Sequence, residues 1–102
     1  MPATIVNSEH HAIPPTRPSP LIEMYATGFC PYCVMARRLL KGKRVEWTEY
    51  RVDQQIHLRE EMLSRCHRRS VPQIFIGGQH IGGFDDLSAL DRAGGLDPLL
   101  AI

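Results

Sequence analysis

The tetrapeptide Cys30-Pro31-Tyr32-Cys33 lies where a short apolar strand pattern gives way to a helical one, and this placement narrows the possible folds more than any other feature. Upstream, Pro20-Leu21-Ile22-Glu23-Met24-Tyr25 reads as a strand, and downstream Val34 to Leu40 reads as a helix. Pro31 suits the first helical turn, where a missing N–H costs nothing. Cys30 then stands at the helix N-terminus, beside backbone N–H groups that have no partner inside the helix and carry positive partial charge. A thiolate is stabilised there, and the thiolate is the reactive form of cysteine. Cys33, one helical turn further in, is expected to be more buried. The alternatives for the pair are half of a zinc site or inert core cysteines. A tetrahedral zinc site needs a second ligand pair, and Cys66-His67 has the wrong spacing for a usual knuckle.

A chain of 102 residues with an apolar fraction of 43% suits one domain with one compact core. The formal net charge of +1 gives no reason to expect nucleic acid or membrane binding. No apolar run approaches the roughly 20 residues that span a bilayer. The N-terminus has no apolar signal-peptide core, and its basic residues are too few for a transit peptide, so a cytoplasmic location is expected by default. Three cysteines argue against a disulfide scaffold, and a cytosolic CxxC is more often catalytic or metal-binding.

Residues 1–20 differ from the rest. Five of the eight prolines are there (Pro2, Pro14, Pro15, Pro18, Pro20), and the segment reads as a flexible extension. His10-His11 reads as a solvated pair rather than a metal site. From Leu21 the chain alternates strand and helix patterns: a strand over 21–25 and a helix over 31–41, with Val34, Met35, Leu39 and Leu40 as candidate buried positions. A strand over 45–52 follows. A helix over 54–66 is then capped by Asp53, with Ile56, Arg59, Met62, Leu63 and Cys66 along one stripe. Gln73-Ile74-Phe75-Ile76, Gly77-Gly78 and Gln79-His80-Ile81 read as a hairpin with a two-residue turn. Asp85 or Asp86 caps a third helix that Gly94-Gly95 ends, and 96–102 reads as a terminal helical turn. The order β-α-β-α-β-β-α predicts an α/β fold, a small mixed sheet with helices on its faces. Trp47 and Phe75 read as core or sheet-face residues, and His57 and His80 as surface or edge residues. Cys66 reads as a small, partly buried hydrophobe, with a regulatory thiol as the alternative.

With Cys-Pro-Tyr-Cys after the first strand, this order resembles the glutaredoxin family. Ser70-Val71-Pro72 is similar to that family's Thr-Val-Pro loop, Gln73-Ile74-Phe75-Ile76 to the strand after it, and Gly82-Gly83-Phe84-Asp85-Asp86 to its second glutathione loop. The tail, Ala89-Leu90-Asp91 with Gly94-Gly95-Leu96-Asp97-Pro98-Leu99-Leu100, is similar to the bacterial glutaredoxin three subfamily. The likeness covers about residues 21–102.

The resemblance implies a thioredoxin-like fold with a four-stranded mixed sheet, and a monomer. It implies glutathione-dependent reduction of protein disulfides and glutathione mixed disulfides, with glutathione as co-substrate and no permanently bound cofactor or metal. It further implies a cis peptide bond between Val71 and Pro72, Cys30 as nucleophile, Cys33 as resolving thiol, and a glutathione site drawn from Tyr32, Arg69, Ser70, Val71, Pro72, Gly83, Phe84, Asp85 and Asp86. One departure stands out. Thr27 occupies the place where the family often has a Lys before the first Cys, and Arg68 or Arg69 is the expected source of the missing charge. Some glutaredoxins instead bind an iron–sulfur cluster through one cysteine per chain and two glutathiones; that alternative better suits a Cys-Gly-Phe-Ser motif. A thioredoxin-type reductase is a third reading, weakened by the absence of Trp-Cys-Gly-Pro-Cys.

Overall fold

The strand patterns of the sequence meet in one sheet. A computed structural model of the chain describes residues 20–102, so the Pro-rich extension, Pro20 apart, lies outside the described residues. The elements are β1 (Ile22–Ala26), α1 (Pro31–Gly42), β2 (Thr48–Arg51), α2 (Ile56–Cys66), β3 (Gln73–Ile76), β4 (Gln79–Gly82), α3 (Phe84–Arg92) and α4 (Leu96–Leu100). The sheet runs β2-β1-β3-β4. β1 pairs parallel with β2, Glu23 opposite Thr48, and antiparallel with β3, Met24 opposite Ile74. The parallel pairing requires a crossover, which α1 supplies.

β1 is buried along its whole length because both faces of the sheet are covered. On one face Ile22, Met24, Ala26, Ile74 and Ile76 pack with Cys33, Ala36 and Leu40 of α1, Leu87 of α3, and Leu96 and Leu100 of α4. On the other, Tyr25, Val52 and Phe75 pack with Leu58 and Met62 of α2. Each of the larger aliphatic side chains in these clusters contributes about 1.5–3 kcal/mol by leaving water. The Gly77-Gly78 turn closes β3 onto β4 with φ of 60° and 84°, the left-handed pair that a two-residue hairpin requires.

Several expectations change. α1 buries Cys33, as expected, together with Ala36, whereas Val34 and Met35, expected inside, stay outside, because the small residues let the helix approach the sheet. α2 turns Leu58 and Met62 inward, a spacing of one helical turn, so Ile56 is 74% exposed and Arg59 faces solvent. Asp53 does not cap α2. The N-cap is Gln55, without a side-chain hydrogen bond, and Asp53 is held instead by Arg51. α3 is capped at Gly83 rather than at an aspartate, while Asp86 in its first turn accepts the Gly83 N–H at 3.0 Å. β2 is limited to four residues, with Val45 and Trp47 packed against the core just before it.

Candidate active site

The redox pair stands where the sequence places it. Cys30 is the N-cap of α1, with extended backbone (φ −77°, ψ 124°), and its carbonyl accepts the first helical hydrogen bond from Val34 N–H at 3.1 Å. No side chain caps this end, so the amides of the first turn are left for the Cys30 sulfur. Cys30 is half-buried, whereas Cys33 is 0% exposed. Burial pushes the Cys33 thiol up to about 11, and neighbouring Cys30 adds to the shift. The pair is therefore asymmetric: one accessible sulfur at a helix terminus, and one buried sulfur that stays protonated beneath it.

Cys30 Sγ donates towards the Val71 carbonyl at 3.7 Å, which joins the thiol to the loop before β3. The Val71–Pro72 bond in that loop is cis. Beyond it lies an open groove of about 240 Å3, lined by Tyr32, Arg68, Ser70, Val71, Pro72, Gln73, Gly83, Phe84, Asp85 and Asp86. Eight of the nine residues expected at a glutathione site thus share one wall-to-wall groove. Arg69 is the ninth, and it lines a separate depression with Ile56, Arg59 and Leu63 on α2. Arg68 takes its place in the groove and pairs with Asp86 at 3.3 Å.

The loop ahead of Cys30 is held from below. Arg37 of α1 donates to the Thr27 carbonyl at 2.9 Å and grips the Glu49 carboxylate at 2.6 Å, and Trp47 donates to the same carboxylate at 3.0 Å. Burial opposes ionisation of Glu49, but the Arg37 and Trp47 hydrogen bonds outweigh it and hold the carboxyl below its usual range. Asp53 accepts the Gly28 N–H at 3.2 Å and a two-pronged contact from Arg51. The guanidinium groups that hold this loop, directly or through Asp53, are those of Arg37 and Arg51, on α1 and β2. These two arginines, and the groove residue Gln73, were missed by motif reading. The apolar-polar alternation around residues 47–53 was a signal, since Glu49 and Arg51 carry charge at positions adjoining a covered strand.

Among the described residues no three His, Cys, Asp or Glu side chains converge as a metal site. Cys66 is partly buried beside the Tyr25–Phe75 cluster.

Residues 22–81 match the family model described as Glutaredoxin. The chain belongs to the glutaredoxin family. It is 54% identical to glutaredoxin 3 of Escherichia coli strain K12 over 79 residues, which is 78% of this chain and 95% of that one. A probable glutaredoxin of Synechocystis is 55% identical over 80 residues, 78% of this chain and 91% of that one. Among solved structures, a buckwheat glutaredoxin–glutathione complex superposes with a TM-score of 0.75 at 28% identity, covering 80% of this chain and 77% of that chain. The solution structure of a Brucella melitensis glutaredoxin gives 0.73 at 42% identity, covering 84% and 94%. The fold is the thioredoxin-like fold of glutaredoxins, and membership supports a thiol–disulfide oxidoreductase role.

Proposed function

We propose that this glutaredoxin takes its electrons from glutathione and reduces glutathione mixed disulfides and protein disulfides. The observation that carries the reading is the juxtaposition of the Cys30 sulfur and the Val71 carbonyl at the rim of the groove. A bound glutathione with its sulfur at Cys30 would lie along Val71, whose backbone can pair with an extended peptide as a sheet edge does. Tyr32 would flank the disulfide. The free amides at the start of α3 suit a carboxylate, and Asp85 and Asp86 suit an ammonium group. A similar protein, a buckwheat glutaredoxin, is solved in complex with glutathione, which supports glutathione as the ligand.

The Cys30 thiolate attacks the glutathione sulfur of a mixed disulfide. A Cys30–glutathione bond forms, the substrate bond breaks, and the substrate thiolate leaves and takes up a proton. A second glutathione thiolate then attacks the Cys30-bound glutathione, so glutathione disulfide departs and Cys30 is regenerated. One free glutathione is oxidised for each mixed disulfide reduced, joining the glutathione taken from the substrate; a protein disulfide consumes two. With a protein disulfide, Cys33 attacks the Cys30 mixed disulfide, releasing the substrate and leaving a Cys30–Cys33 disulfide for glutathione to reduce. The reading places the chain in the cytoplasm as a monomer, where a glutathione pool is available.

The test is glutathione-coupled reduction of a small mixed disulfide by wild type, Cys30→Ser and Cys33→Ser. Activity lost in the first variant and kept in the second is the expected result. A wild type inert with glutathione yet reducible by another thiol overturns the reading.

A further inference from the structure

Gln73 lines the groove, yet its side chain is buried, with 1% of the residue exposed, so every polar atom of its amide needs a partner. Its nitrogen lies 3.0 Å from the Ser70 carbonyl oxygen and 3.3 Å from Ser70 Oγ. Its oxygen lies 2.7 Å from His80 Nε2 on β4. The orientation follows from the chemistry of the partners. A backbone carbonyl only accepts, so the atom facing Ser70 must be the amide nitrogen. The amide oxygen then faces His80, and because it too only accepts, His80 Nε2 must carry a proton. Hydrogen bonding runs one way along this chain: from His80 to Gln73, and from Gln73 to Ser70. Ser70 Oγ, already accepting from Gln73, keeps its own O–H free to donate into the groove.

We propose that His80 is a positioning residue for the substrate site: through Gln73 it fixes the Ser70–Val71 wall and presents the Ser70 hydroxyl as a donor to the oxygens of bound glutathione. His80 is not among the groove-lining residues, so its effect is transmitted through Gln73. This role rests on the reading of the groove as a glutathione site. Without a donor at position 80, the Gln73 oxygen is buried and unpaired. Turning the amide over relieves that oxygen only by setting it against the Ser70 carbonyl, oxygen to oxygen. In either case the wall loosens where the ligand backbone pairs.

His80 also stacks on Phe75, with ring centroids 5.0 Å apart, so packing and hydrogen bonding must be separated. His80→Phe keeps a ring against Phe75 and removes the donor. His80→Gln removes the ring and places an amide N–H near the Nε2 position. The experiment compares these variants with wild type for kcat and KM on a glutathione–cysteine mixed disulfide. In parallel it follows hydrogen exchange of the Gln73 side-chain amide by NMR in the ligand-free protein. The expected result is a KM raised roughly three- to tenfold in His80→Phe with kcat held within about twofold, and near wild-type values in His80→Gln. Gln73 amide protons should be protected in wild type and His80→Gln and exchange freely in His80→Phe. Wild-type KM and protection in His80→Phe overturn the proposal, as does a defect confined to His80→Gln, which would assign the residue to packing. If wild type itself shows no turnover with glutathione, the proposed function fails and the exchange comparison alone decides the relay.

Discussion

The sulfur of Cys30 and the carbonyl oxygen of Val71 lie 3.7 Å apart although 41 residues separate them in the chain. The contact sets the Cys30 sulfur, the reacting atom in the proposed function, against backbone rather than against another side chain. A backbone carbonyl cannot be exchanged by substitution, so the geometry of attack depends on what holds the two loops.

The asymmetry of the redox pair predicts the order in which the thiols react. With the reduced protein at about pH 8, iodoacetamide should modify Cys30 and leave Cys33 untouched, because Cys33 is buried and its thiol is pushed up to about 11. Mass spectrometry of the digested protein reads this directly; equal labelling of both cysteines would contradict the described burial.

The same shift has a stability consequence. Cys33 has an ordinary value of 9.0, and Tyr50, whose hydroxyl donates to Glu23 at 3.0 Å, is raised by burial from 10.0 to about 12. Above pH 9 the unfolded chain sheds protons that the folded chain keeps, so the unfolded state gains relative stability as pH rises. The reduced protein should therefore hold its stability from neutral pH to about pH 9 and lose it progressively up to about pH 12. Urea midpoints should flatten over pH 9–11 in Cys33→Ala and over pH 10–12 in Tyr50→Phe.

Arg37→Ala removes the grip on Glu49 and the donor to the Thr27 carbonyl together. With both side chains about a quarter exposed, the expected loss is about 1–3 kcal/mol at neutral pH, including the cost of leaving the carboxylate without its main partner. Because the Glu49 carboxyl is held low in the fold, this stabilisation is full above its ordinary 4.5 and disappears as pH falls through the lowered value. Denaturation curves of variant and wild type should converge in acid. The reaction rate of Cys30 should fall as well, since its preceding loop loses a tether.

Gly82→Ala tests the entrance to α3. Gly82 has φ of 120°, and a Cβ there would overlap the Asp86 side chain. Backbone strain alone costs about 1–3 kcal/mol. Displacing Asp86 also frees the Gly83 N–H and breaks the pair with Arg68. Lower thermal stability with a raised KM for the glutathione substrate is expected.

Phe29 is 92% exposed, next to Cys30, and is not part of the groove wall. Phe29→Ser should leave stability within about 0.5 kcal/mol of wild type. Reduction of a protein disulfide should slow, while a small glutathione mixed disulfide reacts as before, because only a large substrate reaches across Cys30 to that side. Equal slowing of both would place Phe29 in the glutathione step instead.

Local signals carried most of the fold. The Gly77-Gly78 turn and the strand-to-helix position of Cys30 depend on residues within a few places of each other, and both stand where the sequence put them. The inward face of α1 was read correctly at Cys33 and Leu40 but not at Val34 and Met35, where apolar size was taken as burial; closeness of helix to sheet selected Ala36 instead. Asp53 carried a cap signal, but Arg51 two residues before it and the Gly28 N–H 25 residues away compete for the same carboxylate. The groove residues in motifs were legible one by one. Gln73 was legible only as a strand residue, since the need of a buried amide for partners appears once β4 brings His80 alongside.

The tethers on the loop before Cys30 decide what would travel with the redox motif if it were moved to another scaffold. The four residues from Cys30 to Cys33 would arrive with an unsupported approach, lacking the hydrogen bonds that Arg37 and Asp53 make to Thr27 and Gly28. A faithful graft has to carry α1 as far as Arg37 and the stretch from Trp47 to Asp53, two segments that are separate in the chain. The smallest transferable unit is thus a helix and an edge strand.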